Sequence, residues 1–431
     1  MRFGRTLLAV ALVGLSLPPA LALGAGYGIY EQGAAVLGMG GAGSVSVSDP
    51  SALFFNPAAM TGLAGTQLYG GGTFLQTMTS FAGVAPYPGF GVVEEMEPQR
   101  SFPANVYLTH RYAGPWAIGL GYNSPFGLKT DWKNVDQFTG RYIVTHAELR
   151  TYNYSVGAAR DLGKKWSLGF GGNLVYTRTI LINRHFIASP GGGGGQLEVA
   201  NFALTSNPTP GYGWNAGLTW KPAASWKVGA TYRGRVVAHA DGDANITQYP
   251  TGDAQVDASV AASLPPDQPA STVIRLPAIG ALGVAWNWGS AWTFEGDAVY
   301  TAWSAFKDIP LYFQNSTASN EVIVENYDDS FQFRAGAETR RAAFTYRFGY
   351  YFDQAAAPTE SVSPTLPDAD RHGATLGLGM GFGADKRLRL DVYQLAVFVQ
   401  NRKTEGVNRD GYEGEYKSFA SATGLSLAYR W

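Results

Sequence analysis

Apolar and polar residues alternate with a period of two along most of the chain, the spacing of strands whose two faces meet different surroundings. In the final segment Phe419, Leu425, Leu427, Tyr429 and Trp431 share one face with Ser421 and Thr423. The other face carries Ser418, Ala420, Ala422, Gly424, Ser426, Ala428 and Arg430. Aromatics bracket the leucines on the apolar face, the order expected of a strand that crosses lipid between two interfaces. Trp226, Val228, Ala230 and Tyr232 likewise oppose Lys227, Thr231, Arg233 and Arg235. Trp292, Phe294, Ala298 and Tyr300 oppose Thr293, Glu295, Asp297 and Thr301, and Phe344, Tyr346, Phe348 and Tyr350 oppose Thr345, Arg347 and Gly349. A soluble sandwich also alternates, but its inner face would lack Arg, Glu and Asp. Hydrocarbon does not accept those groups, so the charged face here is the inside.

Fourteen such segments begin near Thr66, Phe102, Trp116, Leu149, Trp166, Tyr212, Trp226, Arg275, Trp292, Phe331, Phe344, His372, Arg387 and Ser418. Short turns (113–115, 161–165, 221–225, 287–291, 340–343, 383–386) alternate with long loops (79–100, 124–148, 185–210, 241–272, 307–330, 353–370, 401–417). Short periplasmic turns and long outer loops are the arrangement of an outer-membrane barrel. Trp116, Trp166, Trp226 and Trp292 open strands that leave short turns, which sets an aromatic belt at the periplasmic interface. An even count returns the C-terminus to the periplasm, and the sheet must close because an open edge finds no water in lipid. The expectation is an all-β chain, a 14-stranded antiparallel transmembrane β-barrel over residues 66–431.

The N-terminal residues break this pattern. Arg2 and Arg5, the apolar run Thr6–Leu17, Pro18-Pro19 and the small-x-small site Ala22-Leu23-Gly24 read as a signal peptide over residues 1–24. Residues 25–65 follow, AGYGIYEQGAAVLGMGGAGSVSVSDPSALFFNPAAMTGLAG. They are too glycine-rich for a stable helix and too irregular for a strand. Tyr27, Ile29, Tyr30, Val36, Leu37, Met39, Leu53, Phe54, Phe55 and Met60 nevertheless need burial. A segment with that much apolar surface and no core of its own needs a cavity, so 25–65 is expected to plug the barrel.

Composition narrows the function. The 431 residues include no cysteine, 55 glycines, 24 Tyr, 23 Phe and 11 Trp, at a net charge of −1. An exported chain without cysteine forms no disulfides, and near-neutral charge gives no footprint for nucleic acid. Enzymatic motifs fail on context. Gly38-Met39-Gly40-Gly41-Ala42-Gly43 fits a dinucleotide pattern but lacks the preceding strand and following helix. The run 191–195 lacks the ending of a phosphate loop and reads as a flexible tip. His110, His146, His185, His239 and His372 stand far apart, without metal spacing. No Gly-x-Ser-x-Gly elbow occurs. No cofactor, no metal and no catalytic residue are expected.

The mature start AGYGIYEQGAAVLGMGGAG, followed by FFNPAAM, resembles the plug of the outer-membrane long-chain fatty-acid and hydrophobic-compound transporters, the FadL-type channels. Asn56-Pro57-Ala58 matches their Asn-Pro-Ala signature; the plainer reading of Asn-Pro is a turn. NSPFGLKTDW (123–132), GRY (140–142), GYGWNAGLTW (211–220), VYTAWSAF (299–306) and LPDADRH (366–372) resemble family blocks in the family order. The resemblance implies a plugged fourteen-strand barrel through which hydrophobic molecules diffuse and leave by an opening in the wall. It places that opening at Asn123, Ser124, Pro125, Phe126 and Gly127, where proline and glycine break the ladder; the plainer reading is a strand end at the rim. A basic head-group contact in the family matches Arg184 or Arg178, while the second basic partner has no counterpart, since residues 308–332 contain no Lys or Arg. Terminal Trp431 stands where such barrels usually end in phenylalanine.

The expected function is passive, ligand-gated uptake of long-chain fatty acids or other hydrophobic compounds, with hydrocarbons and alkylbenzenes as the alternative cargo. Phe186, Ile187, Leu197, Val199, Phe202 and Leu204 are expected to collect the ligand outside, burying it at about 25 cal/mol per Å². Lumenal Arg233, Arg235, Glu295, Asp297, Arg334, Glu338, Arg347, Arg389, Asp391 and Arg430 are expected chiefly to satisfy one another, with a few orienting the plug or a substrate head group. A general diffusion porin would lack the plug and conduct ions steadily; a barrel phospholipase would show lipase activity. Expected partners are the hydrophobic ligand, outer-membrane lipid and lipopolysaccharide, and the barrel-assembly machinery through the C-terminal strand, with the chain a monomer.

Overall fold

A computed structural model describes residues 26–188, 196–315 and 320–431. The expected signal peptide and the glycine run 191–195 lie outside the described residues. Fourteen strands form the wall: β1 Thr66–Gly83, β2 Ala104–Arg111, β3 Trp116–Asn123, β4 His146–Leu162, β5 Trp166–Ala188, β6 Thr209–Ala223 and β7 Trp226–Arg233. They continue as β8 Ile279–Trp288, β9 Trp292–Thr301, β10 Ser330–Arg341, β11 Phe344–Asp353, β12 Arg371–Phe382, β13 Leu388–Val399 and β14 Gly414–Arg430. Each pairs antiparallel with the next. β14 pairs with β1 from Gly83↔Gly414 to Gln67↔Arg430, which closes the barrel.

The two faces separate as the alternation requires. Leu425, Leu427, Tyr429, Phe331, Phe333 and Phe348 are exposed on the outside, whereas Arg347, Asp391, Glu295, Asp297 and Arg334 are buried on the inside. Trp166 stacks on Trp220 at 5.3 Å and Trp226 on Trp286 at 6.0 Å, forming the aromatic belt beside the short turns. Of the strand starts that differ from expectation, two do so for the same reason. The second begins at Ala104 rather than Phe102 and the eighth at Ile279 rather than Arg275. Pro103 and Pro277 have no N–H to give a ladder there.

Several stretches expected as loops are folded. Strands Gln196–Ser206, Val236–Gln248, Gln268–Leu276, Asp308–Phe313 and Glu321–Val324 pair in succession above the wall. The first of them also pairs with the top of β5. A helix, α3 Ala254–Ser263, lies beside them with Asp253 capping its N-terminus. Alternation continues in these stretches through Val236, Ala238, Ala240 and Ala244, all buried, so the outer region has a small core of its own.

Residues 26–65 run against the inward face of the wall. They form α1 Ala34–Leu37, α2 Ala52–Phe55 and a 3-10 turn Pro57–Gly62, with all four residues of each short helix buried. Gly40 and Gly41 follow α1 at φ +69° and +79°, the left-handed region where a side chain is strained. Gly40 also lies against the backbone of Gly349 in β11, an approach that neither residue could make with a Cβ.

Candidate functional site

The site forms where the N-terminal residues meet an interruption of the wall. β3 pairs with β4 from Trp116↔Arg160 to Asn123↔Asn153. Ser124, Pro125 and Phe126 then leave the ladder, and pairing with β4 resumes at Gly127↔Arg150 through the strand Gly127–Asp131. Pro125 cannot donate, and Phe126 turns inward, 3% exposed. The freed backbone pairs with the lumenal segment instead. Ile29 N donates to Pro125 O and Gly127 N to Tyr27 O, both at 2.9 Å, and the Gln32 side chain donates to Ser124 O at 2.8 Å. On its other side β3 pairs with β2 only as far as Val106↔Tyr122. The strand therefore bends into the barrel, satisfying its polar groups on protein as the lipid environment demands. Asn123 is held in the bend: its amide donates to the Tyr107 hydroxyl at 3.2 Å, and Asn153 donates to its oxygen at 3.1 Å.

Aromatic rings pin both partners of this junction. Tyr27 packs edge-on against Trp303 (4.7 Å), Phe306 (5.2 Å) and Phe126 (5.9 Å), and donates its hydroxyl to Arg275 O at 3.1 Å. Trp303 and Phe306 belong to the turn after β9, and Tyr327 closes the box against Phe306 at 5.1 Å. Beside it lies a narrow crevice, with room for about one water molecule, lined by Pro125, Phe126, Val175, Arg233, Val236 and Leu276.

The rest of the segment is tied down by polar contacts. Gly43 N and Ser44 N both donate to Asp297 Oδ2 at 3.0 Å, while Val45 N and Ser46 N donate to the two oxygens of Glu295 at 2.8 Å. Arg334 donates to Gly41 O at 2.8 Å, and Arg233 to Phe54 O at 2.9 Å while lying 4.0 Å over the Phe54 ring. Asn56 donates to Ser44 O at 2.6 Å and Leu218 O at 3.2 Å, and its oxygen accepts from Ala58 N at 3.1 Å, capping the 3-10 turn that Pro57 begins. Asn56-Pro57-Ala58 thus links two parts of the segment to β6. These ties divide the lumenal charges into two sets. Glu338, Arg347, Asp391 and Arg389 do pair with one another, but Glu295, Asp297, Arg233 and Arg334 hold the lumenal segment, and Arg389 reaches its Asp49 at 3.5 Å.

The residues expected to meet ligand outside are arranged differently from the reading above. Arg184 sits between Asp136 (3.2 Å) and Glu198 (3.6 Å), over the Tyr249 ring at 5.0 Å. Arg178 shares the outward face of β5 with the exposed Leu168 and Phe170, because Asn173, Val175 and Thr177 point inward; it does not face the lumen. Phe186 lies under the Arg141 guanidinium at 4.9 Å, and Phe202 packs on His185 at 5.3 Å. Ile187, Leu197, Val199 and Phe202 close around Val260 of α3 as a small core, so they are not an open collecting patch. Sequence reading missed Tyr27's box, because Tyr27, Phe126 and the Trp303–Tyr327 stretch lie far apart in the chain and only the barrel brings them together.

A family model described as outer membrane protein transport protein (OMPP1/FadL/TodX) matches residues 17–431. The chain is 22% identical over 444 residues to a long-chain fatty acid transport protein of Salmonella typhi, covering 99% of each. Its fold is similar to the crystal structure of a Pseudomonas aeruginosa FadL homologue, with TM-score 0.83 at 22% identity, covering 94% of this chain and 100% of that one. It is also similar to the Pseudomonas putida toluene transporter TodX, with TM-score 0.72 at 18% identity, covering 94% and 99%.

Proposed function

Because the chain belongs to the outer membrane protein transport protein family, OMPP1/FadL/TodX, we propose that it admits hydrophobic small molecules by passive diffusion through a plugged barrel with a lateral exit. Residues 26–65 act as the plug, and the bend of β3 at Ser124–Phe126 is the door. The observation that carries this reading is the exchange of partners there: the wall gives up its ladder and pairs with Tyr27 and Ile29. Movement of those few residues would open a path between lumen and bilayer while β3 and β4 stay paired on either side of the bend. The ties at Asp297, Glu295, Arg334 and Arg233 hold the remainder of the plug, which favours sideways release over straight passage. No bond of the ligand is made or broken. The chain works as a monomer inserted through its C-terminal strand, where Trp431 N donates to Thr66 O at 3.1 Å.

The cargo is better read as a neutral hydrophobic compound than as a carboxylate. Arg184 already faces two acidic side chains, and Arg233 is spent on Phe54. The test replaces Ser124-Pro125-Phe126-Gly127 with Thr-Val-Thr-Val, which straightens β3 and seals the wall. Uptake of an alkylbenzene by cells carrying that variant is expected to fall to the transporter-free level at unchanged surface expression. Undiminished uptake would sink the lateral exit.

A further inference from the structure

The outward faces of β4 and β5 carry a pair of arginines that transport does not use. Arg150 and Arg178 stand directly opposite each other in the β4–β5 ladder. Both are on the lipid side: Val156 and Phe170, on the same faces, are exposed, while Thr151, Asn153, Val175 and Thr177 between them point inward. Like charges directly opposite on one face of a sheet repel. Arg150 is partly compensated by Glu148, to which its Nε donates at 2.6 Å. Arg178 makes no ion pair or hydrogen bond through its side chain among the described residues. The next polar side chains on this face, Lys129, Asp131 and His146, are engaged with one another at 2.9 Å and 2.5 Å. An unmatched positive charge remains.

Its height in the membrane indicates what would match it. Trp166, in the periplasmic belt, and Tyr176 lie on the same face of β5, ten residues apart. That spacing is about 33 Å along the strand and about 25 Å along the normal at a tilt of roughly 40°, the height of the apolar band. Tyr176 belongs to the outer aromatic belt with Tyr154 (6.3 Å) and Tyr122, itself 5.4 Å from Tyr154. Arg178 and Arg150 lie one outward-facing position beyond it, roughly 5 Å further out by the same geometry. That is the level of outer-leaflet head groups.

We propose that Arg150 and Arg178 together seat a phosphate of an outer-leaflet glycolipid, the phosphorylated sugar head of lipopolysaccharide. Two adjacent guanidinium forks suit phosphate, which accepts several charge-assisted hydrogen bonds. The seat borders the door, since Gly127 pairs with Arg150, so a bound lipid would flank the exit. The proposal rests on the outer-membrane setting and not on the identity of the cargo.

Delipidated protein in detergent is titrated with bisphosphorylated lipid A, with its dephosphorylated counterpart and with inorganic phosphate, following native mass spectra and thermal unfolding. Bisphosphorylated lipid A is expected to bind the parent about tenfold or more tightly than Arg150→Gln/Arg178→Gln, the order set by a charge-assisted hydrogen bond. The dephosphorylated lipid should bind both weakly and equally. Arg150→Lys/Arg178→Lys should keep most of the affinity, and heat-modifiable gel migration of each variant checks its fold. Equal affinity in the Gln variant, or equal affinity for the dephosphorylated lipid, overturns the seat. Stabilisation by inorganic phosphate as strong as by the lipid overturns the lipid assignment.

Discussion

Glu31 has one carboxylate oxygen, Oε2, buried without a hydrogen-bond partner, two positions beyond Ile29 and its bond to Pro125 O. Burial lifts this carboxyl from its ordinary value to about 7; its own amide and that of Tyr30, then Arg334, oppose the rise. A raised carboxyl favours the seated segment when protonated. The contribution is complete below the unfolded value near 4.5 and is lost as pH climbs through about 7. Amide protection at residues 27–32, corrected for intrinsic exchange, is therefore expected to fall between pH 5 and pH 8. Glu31→Gln should flatten that slope, and an unchanged slope would remove Glu31 as its source. Arg184 gives a second test. Its charge is matched by Asp136 and Glu198, so Arg184→Ala is expected to leave fatty-acid affinity within about twofold. A loss corresponding to about 1.5–3 kcal/mol would restore it as a head-group ligand.

Between the wall and residues 26–65, β9 carries the main restraint. Its inward Glu295 and Asp297 lie two positions apart on one face and accept from four successive amides, Gly43 to Ser46. A run of amides in an irregular segment has no partners of its own, and burying them unpaired is costly. Glu295→Ala is expected to accelerate amide exchange at Val45 and Ser46 by about tenfold or more, the loss of charge-assisted bonds, while the barrel keeps its heat-modifiable migration. Unchanged exchange would mean that packing alone holds the segment. The alternation that placed both carboxylates inside was plain in the sequence. Their partners were not, because the contact joins positions some 250 apart and has no local pattern.

Apart from the bend at Ser124–Gly127, the closed ring of fourteen strands supplies its own hydrogen bonds, and residues 26–65 add contacts but no strand to the ring. Removing residues 26–65 is accordingly expected to leave an inserted, heat-modifiable barrel. In planar bilayers it should conduct ions steadily where the parent does not. A deleted chain that fails to insert, or one that stays silent, would overturn the view of 26–65 as an occupant of a self-sufficient wall. The same independence explains why the wall tolerates the bend in β3: the resumed pairing at Gly127↔Arg150 keeps the ring continuous above it.

The sequence alone determined the strand count, the sidedness of each strand, the inward charges and the outer-membrane setting. All of these follow from one local rule, a period of two against lipid on one side and polar contacts on the other. It also marked Pro125 as a break, since a missing N–H is local. Only the tertiary structure decided where the freed backbone goes and which charges bind residues 26–65 rather than each other. It likewise folded the outer loops into strands around Val199 and Val260. Those outcomes depend on which distant residues the closure of the barrel brings together, and no short stretch of chain encodes its partner across a lumen.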